Sequence, residues 1–318
     1  MSFSLKKRLD ILWKSSGAWP DFQQVMRLAL TGGDKATSAG EEQFSHWADL
    51  PGLCCQAAGG DPDWTEDLTL AWLLFYAAAH VMDSVQDGDE PDDWWAEQGA
   101  GVALSVASGL YFSASQALNA LHDHVATKTR ATEISQRFNH TFLVMCSGQF
   151  TDLTRRIPSL EEYWNIAAAK SGAFFSLACW GGACLATEDE DALGEYARFG
   201  HHLGMLIQIK DDLDDVRASS ITGVPGQKVP FSRSLPVIFT LQTASAARAK
   251  LLSDYLGSAA SNPEAARQAI KILDESGAAT YVRIEMEQHK ALALAALEKS
   301  GAKPPAAEAL AELVTSPF

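Results

Sequence analysis

From Leu68 to Met82 the chain is apolar on nearly every face of a helix, and it then presents Asp83 and Asp87 with no break between. A helix that is apolar all round has no face for water, so it belongs at the centre of a bundle. The run is shorter than the roughly 20 residues needed to span a bilayer, so it is expected to be buried in protein and not in membrane. Strand-like alternation is missing elsewhere, while Ala and Leu are abundant. Ser159 and Glu162 have the spacing of a capping box, Asn262-Pro263 reads as an N-cap followed by a first-turn proline, and Asp21 after Pro20 marks another start. Turn chemistry falls at Gly59 to Pro62, Gly88 to Pro91, Gly223 to Pro230 and Lys303 to Pro305. Between these breaks lie about ten helices, the long ones near 64–87, 99–124, 129–154, 159–185 and 190–216. No low-complexity linker or fixed-period repeat divides the chain. The expectation is one all-α domain over residues 1–318, a bundle of about ten or more helices.

The charge balance narrows the partners. Forty acidic residues against 25 basic ones give a net charge of -15, which repels a nucleic-acid backbone. An anionic substrate would need metal ions or a few local cations to be held at all. The five cysteines (Cys54, Cys55, Cys146, Cys179 and Cys184) show neither a CxxC pair nor zinc-type spacing, and are expected as buried reduced thiols. The N-terminus lacks the continuous apolar core of a signal peptide, and a cytoplasmic location is expected.

Two acidic clusters carry the chemistry. Asp83 and Asp87, four apart, place two carboxylates on one helix face. Asp211, Asp212, Asp214 and Asp215 follow a second apolar stretch, Phe199 to Ile209. Each cluster is expected at the C-terminal end of its helix, where the carboxylates also oppose the negative end of the helix dipole. An acidic run is most simply a solvated surface, but two such runs after two buried helices point to function. A divalent cation would turn the repulsion into ligation. Mg²⁺ suits a few carboxylates completed by phosphate oxygens.

These residues, taken together, resemble the trans-isoprenyl diphosphate synthases of the polyprenyl synthetase family. Gly59-Gly60-Asp61-Pro62 and the apolar helix into Asp83 are similar to the approach to that family's first aspartate motif. Gly148-Gln149, Glu162-Tyr163 and Lys170-Ser171-Gly172 resemble its middle signature. Gln208 through Asp215 matches its second motif, and Ser234-Leu235-Pro236 and Ser276-Gly277-Ala278 resemble the segments that follow. The resemblance implies long helices around a central cavity, with the two clusters facing each other near its mouth. It makes Asp83, Asp87, Asp211, Asp212 and Asp215 catalytic metal ligands for about three Mg²⁺ ions on an allylic prenyl diphosphate. It places Lys170, Gln208 and Gln149 on the substrate, and it implies a homodimer. Ala78 and Ala79 would set the depth of the tail pocket, with Phe75 as its floor about 12 Å below Asp83.

The departures from the pattern fall mainly on the second substrate. Ser84 stands where the first motif has a second aspartate. The basic segment that the family places ahead of that motif corresponds to His46-Trp47-Ala48-Asp49-Leu50-Pro51, and its later arginine pair to the acidic, aromatic stretch Asp89 to Trp95. Asp cannot replace bidentate arginine on a phosphate. A lysine expected ahead of Ser234 is Ser232, leaving Arg233 and Lys228 as substitutes. Three readings follow: a prenyltransferase with a remodelled acceptor site, a terpene-synthase-like lyase that needs no isopentenyl diphosphate, and a non-catalytic partner of an active synthase. The Trp94-Trp95 pair could serve a cation, although simple packing at the rim explains it as well.

Overall fold

The computed structural model describes residues 3–31, 47–88, 93–96, 98–154, 159–222, 233–259 and 262–316. Among these residues every regular element is helical: α1 (Phe3–Ser15), α2 (Pro20–Thr31), α3 (Leu50–Ala58), a 3₁₀ turn (Pro62–Thr65), α4 (Glu66–Asp87), α5 (Asp93–Ala96), α6 (Ala100–Ala120), α7 (Lys128–Thr154), α8 (Leu160–Ala167), a π turn (Ala168–Gly172), α9 (Ala173–Cys184), α10 (Glu190–Thr222), α11 (Leu235–Thr243), α12 (Ala246–Ala259), α13 (Pro263–Glu275), α14 (Ala278–Lys299) and α15 (Ala306–Thr315). The packing resolves two compact units, interleaved along the chain. One comprises Met1–Leu143, Ser176–Gly200 and Ala296–Leu313; the other comprises Val144–Phe175, His201–Ala295 and Val314–Phe318.

In the first unit α4 is the central element, as its composition requires. Leu68, Leu70, Trp72, Leu74, Phe75 and Ala78 are buried, and the helix packs most extensively on α6, where Val106, Ala107 and Leu110 are buried too. Each large apolar side chain buried this way contributes about 1.5–3 kcal/mol. The stretch Pro62–Asp87 is long and apolar enough to cross a membrane by length and composition, but most of its apolar window is buried against protein. Arg8 from α1 pairs with Glu66 at 2.5 Å and Asp67 at 2.7 Å, so the half-buried acids of the first turn are matched by a cation. The helix stops at Gly88, whose φ of 65° closes the last turn in the left-handed region.

In the second unit one core gathers Tyr163, Ala167, Met205, Ile209, Leu235, Ile238 and Val282, and a smaller one gathers Val237, Leu252, Ala269, Ile272 and Leu273. The Ser159–Glu162 capping box forms in both directions, with bonds of 3.1 and 2.9 Å. Asn262 caps α13 by accepting from Glu264 and Ala265. The segment read as one helix over 159–185 is continuous but widens into the π turn at Ala168–Gly172. Close approach explains Gly204, because a Cβ there would lie 2.3 Å from the Ser171 carbonyl oxygen.

Two expectations are corrected. The helix read over 190–216 runs on to Thr222, so Asp211 to Asp215 are not at its end. Exposed Asp211 and Asp215 and the Lys210–Asp214 ion pair at 2.8 Å let the helix carry its charges onward, and the dipole penalty applies only to Asp83 and Asp87. Cys54, Cys55, Cys179 and Cys184 are buried, but Cys146 is exposed on α7.

The two environments of helical glycine give opposite expectations. Gly204→Ala should destabilise the protein by about 1–3 kcal/mol through overpacking. Gly194→Ala, with nothing within 4 Å of the new Cβ, should stabilise it by about 0.5–1 kcal/mol. Urea unfolding of both variants checks the pair.

Candidate functional site

The second unit assembles a polar network from three stretches that are far apart in sequence. Asp212 on α10 is 7% exposed, and its carboxylate accepts three hydrogen bonds. Tyr163 donates its hydroxyl to Oδ2 at 2.7 Å, the Leu235 backbone N–H donates to Oδ2 at 2.6 Å, and Gln208 Nε2 donates to Oδ1 at 3.1 Å. The same Gln208 accepts from Ser171 Oγ through its Oε1 at 2.8 Å. Ser171 lies in the π turn, a device that recurs at functional sites because it re-aims side chains out of the regular helical register.

Next to Ser171 is Lys170, and its ammonium lies 3.3 Å from Asp152 Oδ2. Arg233, two residues before Leu235, places Nη1 3.1 Å from Asp152 Oδ1 and also donates to the Asp152 backbone carbonyl. One carboxylate thus holds two cations, all three side chains being only 21–34% exposed. Gln149, three residues before Asp152 on α7, has both amide atoms buried with no hydrogen-bond partner among the described residues. An amide left in that state is satisfied by a ligand or by water.

The acidic cluster is electrostatically loaded. Burial pushes Asp212 up to about 6 against its three hydrogen bonds, with Asp215 adding to the rise. Asp211 keeps part of its surface in solvent, yet the protein atoms crowding its carboxyl push it up to about 7. Lys210 opposes that rise, while Asp212, Asp215 and Asp214 add to it. Burial and the neighbouring Asp212 hold the Tyr163 phenol well above its ordinary range.

In the first unit, α4 carries Phe75, Ala79, Asp83 and Asp87 four residues apart, on one face. Asp83 and Asp87 are half-buried on the last two turns. Ala78 is buried and Ala79 half-buried. Phe75 packs edge-on against Tyr111 at 5.3 Å and stacks on Phe142, so aromatic rings from α6 and α7 close around it. Trp94 and Trp95 are each 6% exposed and meet edge to face at 6.3 Å, and the Trp95 indole N–H has no partner among the described residues.

Of the residues named from sequence, the structure draws Lys170, Gln208, Asp212 and Arg233 into one network and leaves Gln149 on the adjoining α7 stretch. Asp211 and Asp215 flank it on α10. Asp83, Asp87, Phe75, Ala78 and Ala79 share α4, and Lys228 lies outside the described residues. Asp152, Ser171 and Tyr163 were not assigned roles from sequence. A signal for Asp152 existed in its place one turn beyond Gln149 on the same helix face. Among the described residues no three His, Cys, Asp or Glu side chains converge as a preformed metal cage. The donor set of the aspartate clusters is hard oxygen only. It fits Mg²⁺, which keeps several of its positions for water and phosphate oxygens.

The raised carboxyls fix a sign for pH dependence in protein free of divalent ions. A folded-state value near 7 for Asp211, against an ordinary 3.8, means that its contribution is most favourable at low pH and is lost as pH rises through about 7. Asp211→Asn should therefore stabilise the metal-free protein above pH 7, and the gain should shrink as pH falls toward 4. Paired thermal melts across that range check both the sign and the window.

The sequence pattern of the polyprenyl synthetase family matches residues 53–273. A geranylgeranyl diphosphate synthase of Mycobacterium tuberculosis is 28% identical over 274 residues, covering 83% of this chain and 77% of that protein. An IDS-like terpene synthase 1 from Melampsora lini is 29% identical over 147 residues, 44% of each chain. The crystal structure of a geranylgeranyl pyrophosphate synthetase from Pyrococcus horikoshii superposes with a TM-score of 0.79 at 18% identity, covering 98% of this chain and 95% of that one. The architecture is therefore the isoprenoid synthase fold. With the family pattern spanning well over half of its length, the chain belongs to the polyprenyl synthetase family.

Proposed function

We propose that the protein is a Mg²⁺-dependent prenyltransferase that ionises an allylic prenyl diphosphate. The observation that carries this reading is the convergence of Lys170 and Arg233 on Asp152, tied through Ser171 and Leu235 to the Gln208–Asp212 network. Two cations set in place beside an acidic cluster suit a ligand with more negative charge than one carboxylate. Breaking the carbon–oxygen bond places negative charge on the departing diphosphate, and preorganised cations stabilise that charge where it develops. Lys170 and Arg233 would exchange the single carboxylate of Asp152 for phosphate oxygens. Arg233 would supply the charge of the lysine expected at Ser232. Each acidic pair, Asp211 with Asp215 and Asp83 with Asp87, would hold Mg²⁺, which would supply the remaining charge neutralisation as a Lewis acid. The Gln149 amide, buried and unpartnered, would orient the substrate. Apolar walls would keep water from the cation that forms.

On α4 the same reading makes Ala79 the narrow part of the tail pocket and the ring cluster of Phe75, Tyr111 and Phe142 its floor, about 12 Å below Asp83. That depth suits a tail of farnesyl or geranylgeranyl length. The acceptor is a different question. The acidic stretch Asp89 to Asp92 lies outside the described residues, and Trp94 and Trp95 are buried where an arginine pair would serve isopentenyl diphosphate. A remodelled acceptor site fits this. Those residues, with the similarity to a terpene synthase-like relative, also favour a second reading: a lyase in which the cation cyclises or is quenched.

Incubation with Mg²⁺ and farnesyl or geranylgeranyl diphosphate, with and without isopentenyl diphosphate, tests the reading through pyrophosphate and organic products together. Pyrophosphate release is expected, reduced by about 10²–10³ in Asp211→Ala and Lys170→Ala. A longer prenyl diphosphate only when isopentenyl diphosphate is present means an elongating enzyme. Release without it means a lyase or another acceptor, and no turnover means a non-catalytic partner. Phe75→Ala should shift preference toward longer tails, and unchanged preference would remove Phe75 as the floor.

The expected homodimer has its own support. Residues 100–121 contain no Asp, Glu, Lys or Arg, and α6 exposes Leu104 and Phe112, the latter at 65%. Two copies of a chain with net charge -15 repel each other least across such a face. Phe112→Glu should convert a dimer to a monomer in size-exclusion chromatography with light scattering.

A further inference from the structure

We propose that Asp212 is a positioning residue, which orders the two cations beside its cluster. A carboxylate offers about four lone-pair sites, and three donors, two of them from other helices, occupy three of those of Asp212. Two of these donors have nowhere else to go. Leu235 is fully buried and its N–H opens α11, where the Ser234 side chain makes no capping bond, so Asp212 caps that helix from outside it. The Tyr163 hydroxyl belongs to a ring that is 6% exposed. Turning Oδ2 onto a metal would orphan a buried donor, which is unfavourable even when the new bond is good. Asp211 and Asp215 lie on the exposed side of the same helix.

The position of Asp212 explains what this carboxylate controls. Through Oδ1 it holds Gln208, which in turn holds Ser171 beside Lys170. Through Oδ2 it pins Leu235, and so sets where Arg233 leaves α11 toward Asp152. Both cations of the proposed diphosphate site therefore take their register from one buried side chain. The inference rests on the proposed function only for what the cations bind; the hydrogen bonds stand without it.

Two conservative variants and a control test it in the full-length protein. The first readout is the melting temperature of metal-free protein. Asp212→Asn replaces one acceptor by a donor facing other donors, and Tyr163→Phe removes one donor without altering charge. Each is expected to lower the melting temperature by about 2–6 °C. Asp211→Asn, which removes a crowded carboxylate charge, is expected to raise it above pH 7. The second readout is binding of inorganic pyrophosphate with Mg²⁺ by calorimetry, well below the melting temperature. Asp212→Asn and Tyr163→Phe are expected to weaken pyrophosphate binding by about 10–100-fold with the number of Mg²⁺ ions per chain unchanged, as outer partners of a site do. Asp211→Asn is expected to lose an ion. A higher melting temperature for Asp212→Asn, or loss of an ion in Asp212→Asn with Tyr163→Phe like wild type, overturns the proposal. Wild-type protein that binds no Mg²⁺ and pyrophosphate would instead remove the functional reading, and the melting temperatures would still decide the role of Asp212.

Discussion

A buried carboxylate must be satisfied by donors or it unfolds its surroundings, and in this protein the side chain under that constraint is Asp212. Three elements meet on it: α8 through Tyr163, α11 through the Leu235 N–H, and the preceding turn of α10 through Gln208. Satisfying the charge fixes the elements relative to each other, because hydrogen bonds of 2.6–3.1 Å leave little slack in any of them. The apolar core around Tyr163, Ile209 and Leu235 excludes water from this meeting point and makes each bond stronger than it would be at the surface.

The same constraint separates two kinds of aspartate that look alike in a run of letters. Asp212 faces inward and is used by the protein itself, whereas Asp211 and Asp215 stay on the exposed side and keep their mutual repulsion. That repulsion is one reason to expect a cation. It also explains why the π turn and Gly204 matter. The turn carries Lys170 and Ser171 out of the regular helical register, and the missing Cβ lets α10 come close enough for Gln208 to reach Ser171. The cationic subsite thus follows from helix geometry in one place and from a buried charge in another.

Much of the fold was legible because helices announce themselves locally. The all-round apolar run fixed α4 as a core element, and the capping box at Ser159 and the Asn262-Pro263 start are decided by side chains within three residues of the backbone groups they serve. The end of α10 was misplaced because acidic letters read as a stop, while an i,i+4 pair and open solvent let the helix continue. Burial of all five thiols was overstated because the apolar neighbours of Cys146, Leu143 and Phe150, are themselves exposed.

The sequence by itself determined the helical class, the family, and which residue types could meet a charged diphosphate, since each depends on spacing along the chain. It named Lys170, Gln208, Asp212 and Arg233 without saying what joins them. Only the tertiary structure decided that Asp152, 18 residues from Lys170 and 81 from Arg233, sits between those two cations, and that Tyr163 and Leu235 claim Asp212. The physical reason is that the helical repeat predicts neighbours three and four residues apart. Partners brought together by packing across helices leave no periodic trace in the letters.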